Sequence, residues 1–161
     1  MMRGLILAIM CGLASGLAAP TQAQLLVEPS DAMVKEVAHV VRANLSHGRY
    51  PDGSSVAPET SEELASPIIP FALEQQTIRR GLLTGELQVC GADWQRVSFE
   101  PYMQRIRKEG RLSPKQLVYV GMLHGFAQGQ IYTALRTRVK GCSEQRVTTL
   151  EKMAQSPLAL P

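Results

Sequence analysis

Two cysteines, Cys90 and Cys142, constrain the fold of this chain more than any other feature of its sequence. A third, Cys11, lies in an N-terminal stretch with the features of a secretory signal peptide: a basic start, an apolar run, and small residues before a cleavage position after Ala23. Cleavage would leave two cysteines in an oxidising compartment, where we expect a structural disulfide between them. In the loop-entropy model, closing about fifty residues contributes roughly 4 kcal/mol. The alternative, a redox pair, usually has its cysteines close together, as in Cys-x-x-Cys.

Two other interpretations of residues 1–23 remain open, a membrane anchor and a lipid attached to Cys11. An anchor needs about 20 apolar residues, and the apolar stretch at 4–19 is shorter and contains two glycines. A lipidation site has small residues before its cysteine, whereas Ile9 and Met10 precede Cys11. We therefore predict a cleaved signal peptide, a periplasmic or secreted location, and no stable membrane span in the mature chain.

We predict a single domain at 24–155, with a loop at about 48–66 and a C-terminal tail at 156–161. Apolar residues recur at three- and four-residue spacing and no strand pattern of useful length occurs, which predicts an all-α fold of four or five helices. A hydrophobic content of 45% is sufficient for a small core. The net charge of +3 neither favours nor excludes a polyanionic partner, but export and an aromatic content of 5% argue against nucleic acid.

The predicted helices begin and end at recognisable capping signals. The clearest is Ser113-Pro114-Lys115-Gln116, in which the serine and the glutamine form a capping box and the proline suits the first helical position. The helix that begins there should reach about Lys140. Because its apolar residues lie around much of its circumference, we predict that it is the central helix. The other predicted helices cover about 31–47, 70–90, 98–110 with Ser98 as its cap, and a segment that begins at Ser143.

Glycines recur every four residues in two of these helices, at Gly121, Gly125 and Gly129 and at Gly81 and Gly85. Each glycine inside a helix costs close to 1 kcal/mol relative to alanine, about 5 kcal/mol for the five, so their spacing needs a reason. One interpretation is that the two helices cross through these stripes, where backbones can approach closely. The other is a small-residue groove that is left open for a peptide or a partner helix.

Trp94 and His124 are the side chains most open to a functional interpretation. Trp94 either anchors a ligand or packs over the disulfide while Asp93 caps the next turn. His124 is either a core residue or part of a site, and a small envelope hydrolase would use it with a carboxylate such as Asp93 or Glu100. The candidate binding residues are Trp94, Gly121, His124, Gly125 and Gly129.

The sequence contains no recognisable catalytic or metal-binding motif. Once the cysteines pair, no His/Cys cluster has metal-ligand spacing, and there is no phosphate-binding loop or nucleophile elbow. We therefore predict no catalytic residue, no metal and no cofactor. Basic residues gather at 105–115 and 136–140. One interpretation is that they form a solvated surface, with positive charge that is favourable near helix C-termini. The other is that they contact anionic lipid, cell-wall polymer or an acidic protein.

The segment Cys90-Gly91-Ala92-Asp93-Trp94, followed later by Gly141-Cys142, places an acidic and an aromatic residue shortly after a cysteine. This pattern resembles that of the HdeA-type acid-stress chaperones of the bacterial periplasm. The stretch from Tyr119 to Gly125 is similar to a helix of the periplasmic immunity proteins that protect against secreted amidase effectors. The resemblances cover residues of about 85–149 and imply binding rather than catalysis, whereas residues 24–80 match neither pattern.

Together, these features predict an exported periplasmic binding protein of the stress-chaperone, immunity or secretion-accessory type. Its partner would be a protein or a peptide, held in an apolar or small-residue groove, with a homodimer as an open alternative. The rival hypotheses are the hydrolase that uses His124 and a purely structural component of the envelope.

Overall fold

The computed structural model describes residues 28–156, so the predicted signal peptide and all of the predicted tail except Ser156 lie outside the described residues. Within this range the chain is all-α, with six α-helices and no strand, which confirms the predicted fold class. No helix between residues 28 and 156 combines the length and the apolar character that a membrane span requires. The helices are α1 (Asp31–Ala43), α2 (Ser61–Leu64), α3 (Phe71–Val89), α4 (Glu100–Glu109), α5 (Pro114–Leu135) and α6 (Glu144–Gln155).

Hydroxyl side chains cap the starts of four helices. Ser113 Oγ accepts a hydrogen bond from the Gln116 amide at 3.3 Å, and the Gln116 side chain accepts one from the Ser113 amide at 2.8 Å. The predicted capping box is therefore confirmed at the start of α5. Ser30, Thr60 and Ser143 cap α1, α2 and α6 in the same way, since each side chain accepts a hydrogen bond from the first turn of its helix.

Ser98 does not cap a helix, contrary to the prediction. A π-helical turn at Gln95–Phe99 leads into α4, and the Asp93 side chain accepts a hydrogen bond from the Arg96 amide at 3.3 Å before that turn. Ser98 is buried inside the turn, with its Oγ 2.7 Å from Thr84 Oγ1 of α3. The Ser98 hydroxyl thus bonds to a side chain of α3 and does not cap α4. A serine hydroxyl can form either kind of hydrogen bond.

α5 ends at Leu135, before the predicted end at Lys140. The chain turns there, with the Arg138 and Val139 amides both donating to the Leu135 carbonyl at 2.9 Å. The turn brings Cys142 to Cys90 at the end of α3, where their Cα atoms are 5.2 Å apart and the predicted disulfide forms. The bond holds the C-terminal ends of α3 and α5 together.

The central helix is α3, and the prediction that the helix starting at Ser113 occupies the centre is wrong. Every residue of α3 from Thr77 to Leu87 except Arg79 is buried, whereas α5 buries one side. α3 contacts α1, α5, α6 and the π-helical turn. Hydropathy misses this role because α3 buries polar side chains, each of which has a hydrogen-bonding partner from a neighbouring element or from its own backbone.

Two apolar clusters fill the core on different sides of α3. The larger cluster joins α1, α3, α4 and α5 and includes the loop residues Leu45 and Val56. The smaller cluster packs α6 and the π-helical turn against α3, next to the disulfide. Its buried members are Leu83, Leu87, Val97, Leu150 and Ala154.

Candidate functional site

The glycines of α3 lie where α3 and α5 cross. A Cβ atom built on Gly81 would lie 2.8 Å from the Ala127 Cβ and still closer to the His124 carbonyl oxygen. A Cβ atom on Gly85 would lie 2.6 Å from the Gln128 carbonyl oxygen. The predicted crossing is confirmed for this stripe, because only a residue without a side chain allows the two backbones this separation.

The glycines of α5 do not lie in the crossing with α3. The expectation that both glycine stripes form this crossing is therefore wrong for the stripe on α5. A Cβ atom on Gly121, Gly125 or Gly129 would meet no atom of the described chain within 4 Å, the helix's own backbone aside. Gly125 and Gly129 are exposed and Gly121 is half-buried. We call the surface formed by these three glycines the α5 glycine face. The second interpretation, a small-residue groove that is left open for a peptide or a partner helix, stays a prediction, and the open space above these glycines is compatible with it.

Exposed basic residues follow the α5 glycine face along the chain. α5 itself contains no acidic residue, and Arg136, Arg138 and Lys140 come directly after its last turn. All three are exposed, and none forms an ion pair within residues 28–156. Arg136 is seven residues after Gly129, about two helical turns, so it lies on the same side of the helix.

His124 is a core residue. Its side chain is 0% exposed and contacts two aromatic rings, that of Phe99 with centroids 4.9 Å apart and that of Tyr102 with centroids 6.2 Å apart. Nε2 lies 3.0 Å from Thr84 Oγ1, whose own proton goes to the Arg80 carbonyl at 2.8 Å. Nε2 must then carry the ring proton and donate it to Thr84.

Burial and the nearby charge of Arg80 lower the pKa of His124 to about 3, so the imidazole is neutral at pH 7. The hydrolase hypothesis requires His124 in an open pocket beside a carboxylate. Full burial removes that access, and Asp93 instead pairs with Arg96, Oδ2 to Nε, at 3.1 Å. The geometry matches the interpretation of His124 as a core residue.

Trp94 is half-buried and packs on the smaller apolar cluster together with Cys90. Its ring centroid is 6.4 Å from that of Phe99. With Asp93 accepting a hydrogen bond from the Arg96 amide, this arrangement matches the packing interpretation of the Asp93-Trp94 pair. A role of Trp94 in binding stays a prediction.

Sequence reasoning missed Arg80, a charged residue of α3 that is 2% exposed. Its Nη2 donates to the Ser156 carbonyl at 3.2 Å and its Nη1 donates to the Ala154 carbonyl. The spacing of Thr77, Arg80 and Thr84 is the signal in the sequence, since steps of three and four residues place these polar side chains on one face of the helix.

In the part of the chain that the structure describes, no group of three or more His, Cys, Asp or Glu residues could hold a metal ion. Comparison of the chain with models of protein families, with curated proteins and with solved structures gives no match.

Proposed function

We propose that this protein works in the bacterial cell envelope by binding a helix of another protein on the α5 glycine face. The observation that carries the proposal is the open space above Gly121, Gly125 and Gly129, which no part of the described fold uses. The three glycines together cost about 3 kcal/mol relative to alanine. A docked helix offsets that cost, because a stripe without side chains lets two helix backbones approach closely.

The contact between α3 and α5 shows what such a stripe can do in this molecule. Gly81 and Gly85 have the same four-residue spacing, and the backbone of α5 lies directly against them. The α5 glycine face offers an incoming helix a surface with the same glycine spacing, which no described element covers. The occupant we propose is therefore a helix rather than an extended peptide or a small molecule.

The charges around the face indicate the kind of helix. Arg136, Arg138 and Lys140 are exposed and without ion pairs among the described residues, and α5 has no acidic residue. A second copy of the chain would bring like charges to this surface, whereas an acidic helix would complement them. We therefore favour a partner protein with an acidic helix over a homodimer. Stress chaperone, immunity protein and secretion accessory all remain compatible with this mode of binding.

Site-specific crosslinking in the native envelope tests the proposal. A photoactivatable amino acid at position 129 should capture one protein, and the crosslinked segment of that protein should be an acidic helix. The same group at the exposed Lys152 of α6 is the matched control and should not capture it. Gly125→Leu fills the middle of the face and should abolish capture while circular dichroism shows an unchanged fold.

Three results would contradict the proposal. Equal capture from positions 129 and 152 would mean that the face is not specific. A crosslink to α5 of a second copy would make the face a homodimer interface. Capture that survives both Gly125→Leu and the charge reversals Arg136→Glu and Arg138→Glu would place the partner elsewhere.

A further inference from the structure

A cleft with a volume of about 300 Å³ lies between α3, α4 and the C-terminal end of α6. Arg80 of α3 and Arg105 of α4 both line it, together with Tyr102. The guanidinium carbons of the two arginines lie 5.8 and 6.0 Å from the centroid of the Tyr102 ring. None of the lining residues is acidic. The cleft thus combines two cations with an aromatic surface and is separate from the α5 glycine face.

Arg80 is the decisive residue because its guanidinium is buried and has no counterion among residues 28–156. The residue is 2% exposed, and its Nε has no hydrogen-bond partner within residues 28–156. Burial and the positive charge of Arg105 lower the pKa of Arg80 to about 10. Buried charges in proteins are normally paired, since an unpaired buried charge is costly. The carbonyl groups of Ala154 and Ser156 hold the guanidinium in place but supply no negative charge.

Arg105 of α4 also lines the cleft and has a guanidinium group that is similarly unpaired within residues 28–156. Its Nε is also buried without a hydrogen-bond partner in the described chain. Two acidic residues of the neighbouring helices are engaged elsewhere, because Glu109 lies 3.7 Å from Arg111 and Glu86 pairs with Arg146. Neither Arg80 nor Arg105 forms an ion pair within the described residues. Two unmatched cations therefore share one cleft.

We infer that this cleft binds a small organic carboxylate, whose oxygen atoms accept hydrogen bonds from the guanidinium groups of Arg80 and Arg105. The planar guanidinium fork matches a carboxylate, and the carbonyl contacts of Arg80 fix its orientation before a ligand arrives. Val97, Pro101 and Tyr102 give the cleft apolar walls, which favour a ligand with an apolar body over a bare inorganic anion. The volume lies near the lower end of the range for small-molecule sites.

Calorimetric titration of the full chain with benzoate tests this inference. Benzamide has the same shape without the charge, and inorganic phosphate has charge without the apolar body. We expect saturable binding of one benzoate, with benzamide and phosphate each at least about tenfold weaker, because charge-assisted hydrogen bonds are the strong ones. The thermal midpoint of unfolding should rise with the logarithm of the benzoate concentration.

Arginine variants assign the binding to the cleft. Arg105→Gln should weaken benzoate binding about tenfold, whereas Arg107→Gln, an exposed position on the same helix, should leave it unchanged. Arg80→Lys keeps the charge but loses the planar fork and should also weaken binding, provided that circular dichroism shows it folded. If Arg80→Lys unfolds, Arg105→Gln keeps the test decisive, because Arg105 donates to no backbone carbonyl within residues 28–156 and its loss leaves none unpaired there.

Equal affinities for benzoate and benzamide, no saturable binding, or wild-type affinity in Arg105→Gln would each overturn the inference.

Discussion

Gly81 and Gly85 on α3 and the three glycines of the α5 glycine face share a four-residue spacing but have opposite surroundings. The α3 pair lies against the α5 backbone with no room for a methyl group, whereas the α5 glycines face open space. The comparison shows that glycine spacing indicates where a helix can be approached closely, not whether a neighbour is present. The first stripe is part of the crossing of α3 and α5, and the second is the surface on which we propose that a partner binds.

The largest effect should come from removing the disulfide, which holds α3 and α5 together beside the glycine crossing. Cys90→Ser combined with Cys142→Ser should lower the free energy of unfolding by about 4 kcal/mol, because the unfolded chain regains loop entropy. Denaturant titration of the oxidised protein and the double variant measures this difference. Reduced wild-type protein is the control and should match the variant. A loss below about 1 kcal/mol would mean that the glycine crossing holds the helices without the bond.

Gly81→Ala tests the crossing itself. The new methyl group would overlap the His124 carbonyl oxygen and crowd Ala127, and both belong to a helix that cannot easily move. We expect the free energy of unfolding to fall by about 3 kcal/mol, although alanine is the better helix former. Thermal or denaturant unfolding measures the change, with Gly125→Ala as the matched control. Wild-type stability in Gly81→Ala would contradict the close approach of the two backbones.

Acid should lower the free energy of unfolding, because the buried His124 of α5 is neutral in the folded protein. Its pKa is about 3 when folded and near the ordinary value of 6.5 when unfolded, so the unfolded state binds the proton first as the pH falls. The contribution of His124 to the free energy of unfolding is fully present above pH 6.5. It decreases below that pH, by about 3 kcal/mol at pH 4.5. Glu74 and Glu86, whose pKa values burial raises, act in the opposite direction.

The pH dependence of the unfolding midpoint in the wild type and in His124→Gln measures this contribution. The variant should lose overall stability but should show a flatter dependence between pH 6.5 and 4.5. His39, which is exposed on α1, provides the control through His39→Gln, whose pH profile should follow the wild type. Parallel profiles for wild type and His124→Gln would contradict the assignment.

The smallest change in stability is expected from substitutions on the α5 glycine face. Gly125→Ala and Gly129→Ala should each raise the free energy of unfolding by up to about 1 kcal/mol, because alanine is the better helix former and the methyl group meets no atom of residues 28–156 outside its own helix. Denaturant titration at low protein concentration measures the gain. A loss of stability that grows with protein concentration would show that a second copy already covers the α5 glycine face.

Local signals account for the parts of the fold that could be predicted. The caps at Ser113 and Ser143 depend on a few neighbouring residues, and both predictions are confirmed. The left-handed Gly110 that ends α4 is a signal of the same local kind. Ser98 carries the same kind of signal, yet its hydroxyl contacts Thr84 of α3. A local pattern lists the bonds that a side chain can make, and the tertiary contacts decide which one forms.

The candidate sites show the same division. The glycine spacing on α5 was visible in the sequence, but whether it faced α3 or solvent was not. Arg80 was overlooked because a charged side chain in a helix is normally exposed, and only the position of α6 shows that two carbonyl groups hold it in the core.

By itself, the sequence determined the all-α class, most of the helix starts and the pairing of Cys90 with Cys142, because these depend on local hydrogen bonds, periodicity and a small number of cysteines. Only the tertiary structure decided that α3 is central, that one glycine stripe is covered and the other open, and that Arg80 shares a cleft with Arg105. Those features depend on how each helix is rotated about its axis relative to its neighbours. A period of 3.6 residues shows which residues share a face of a helix but not what that face meets.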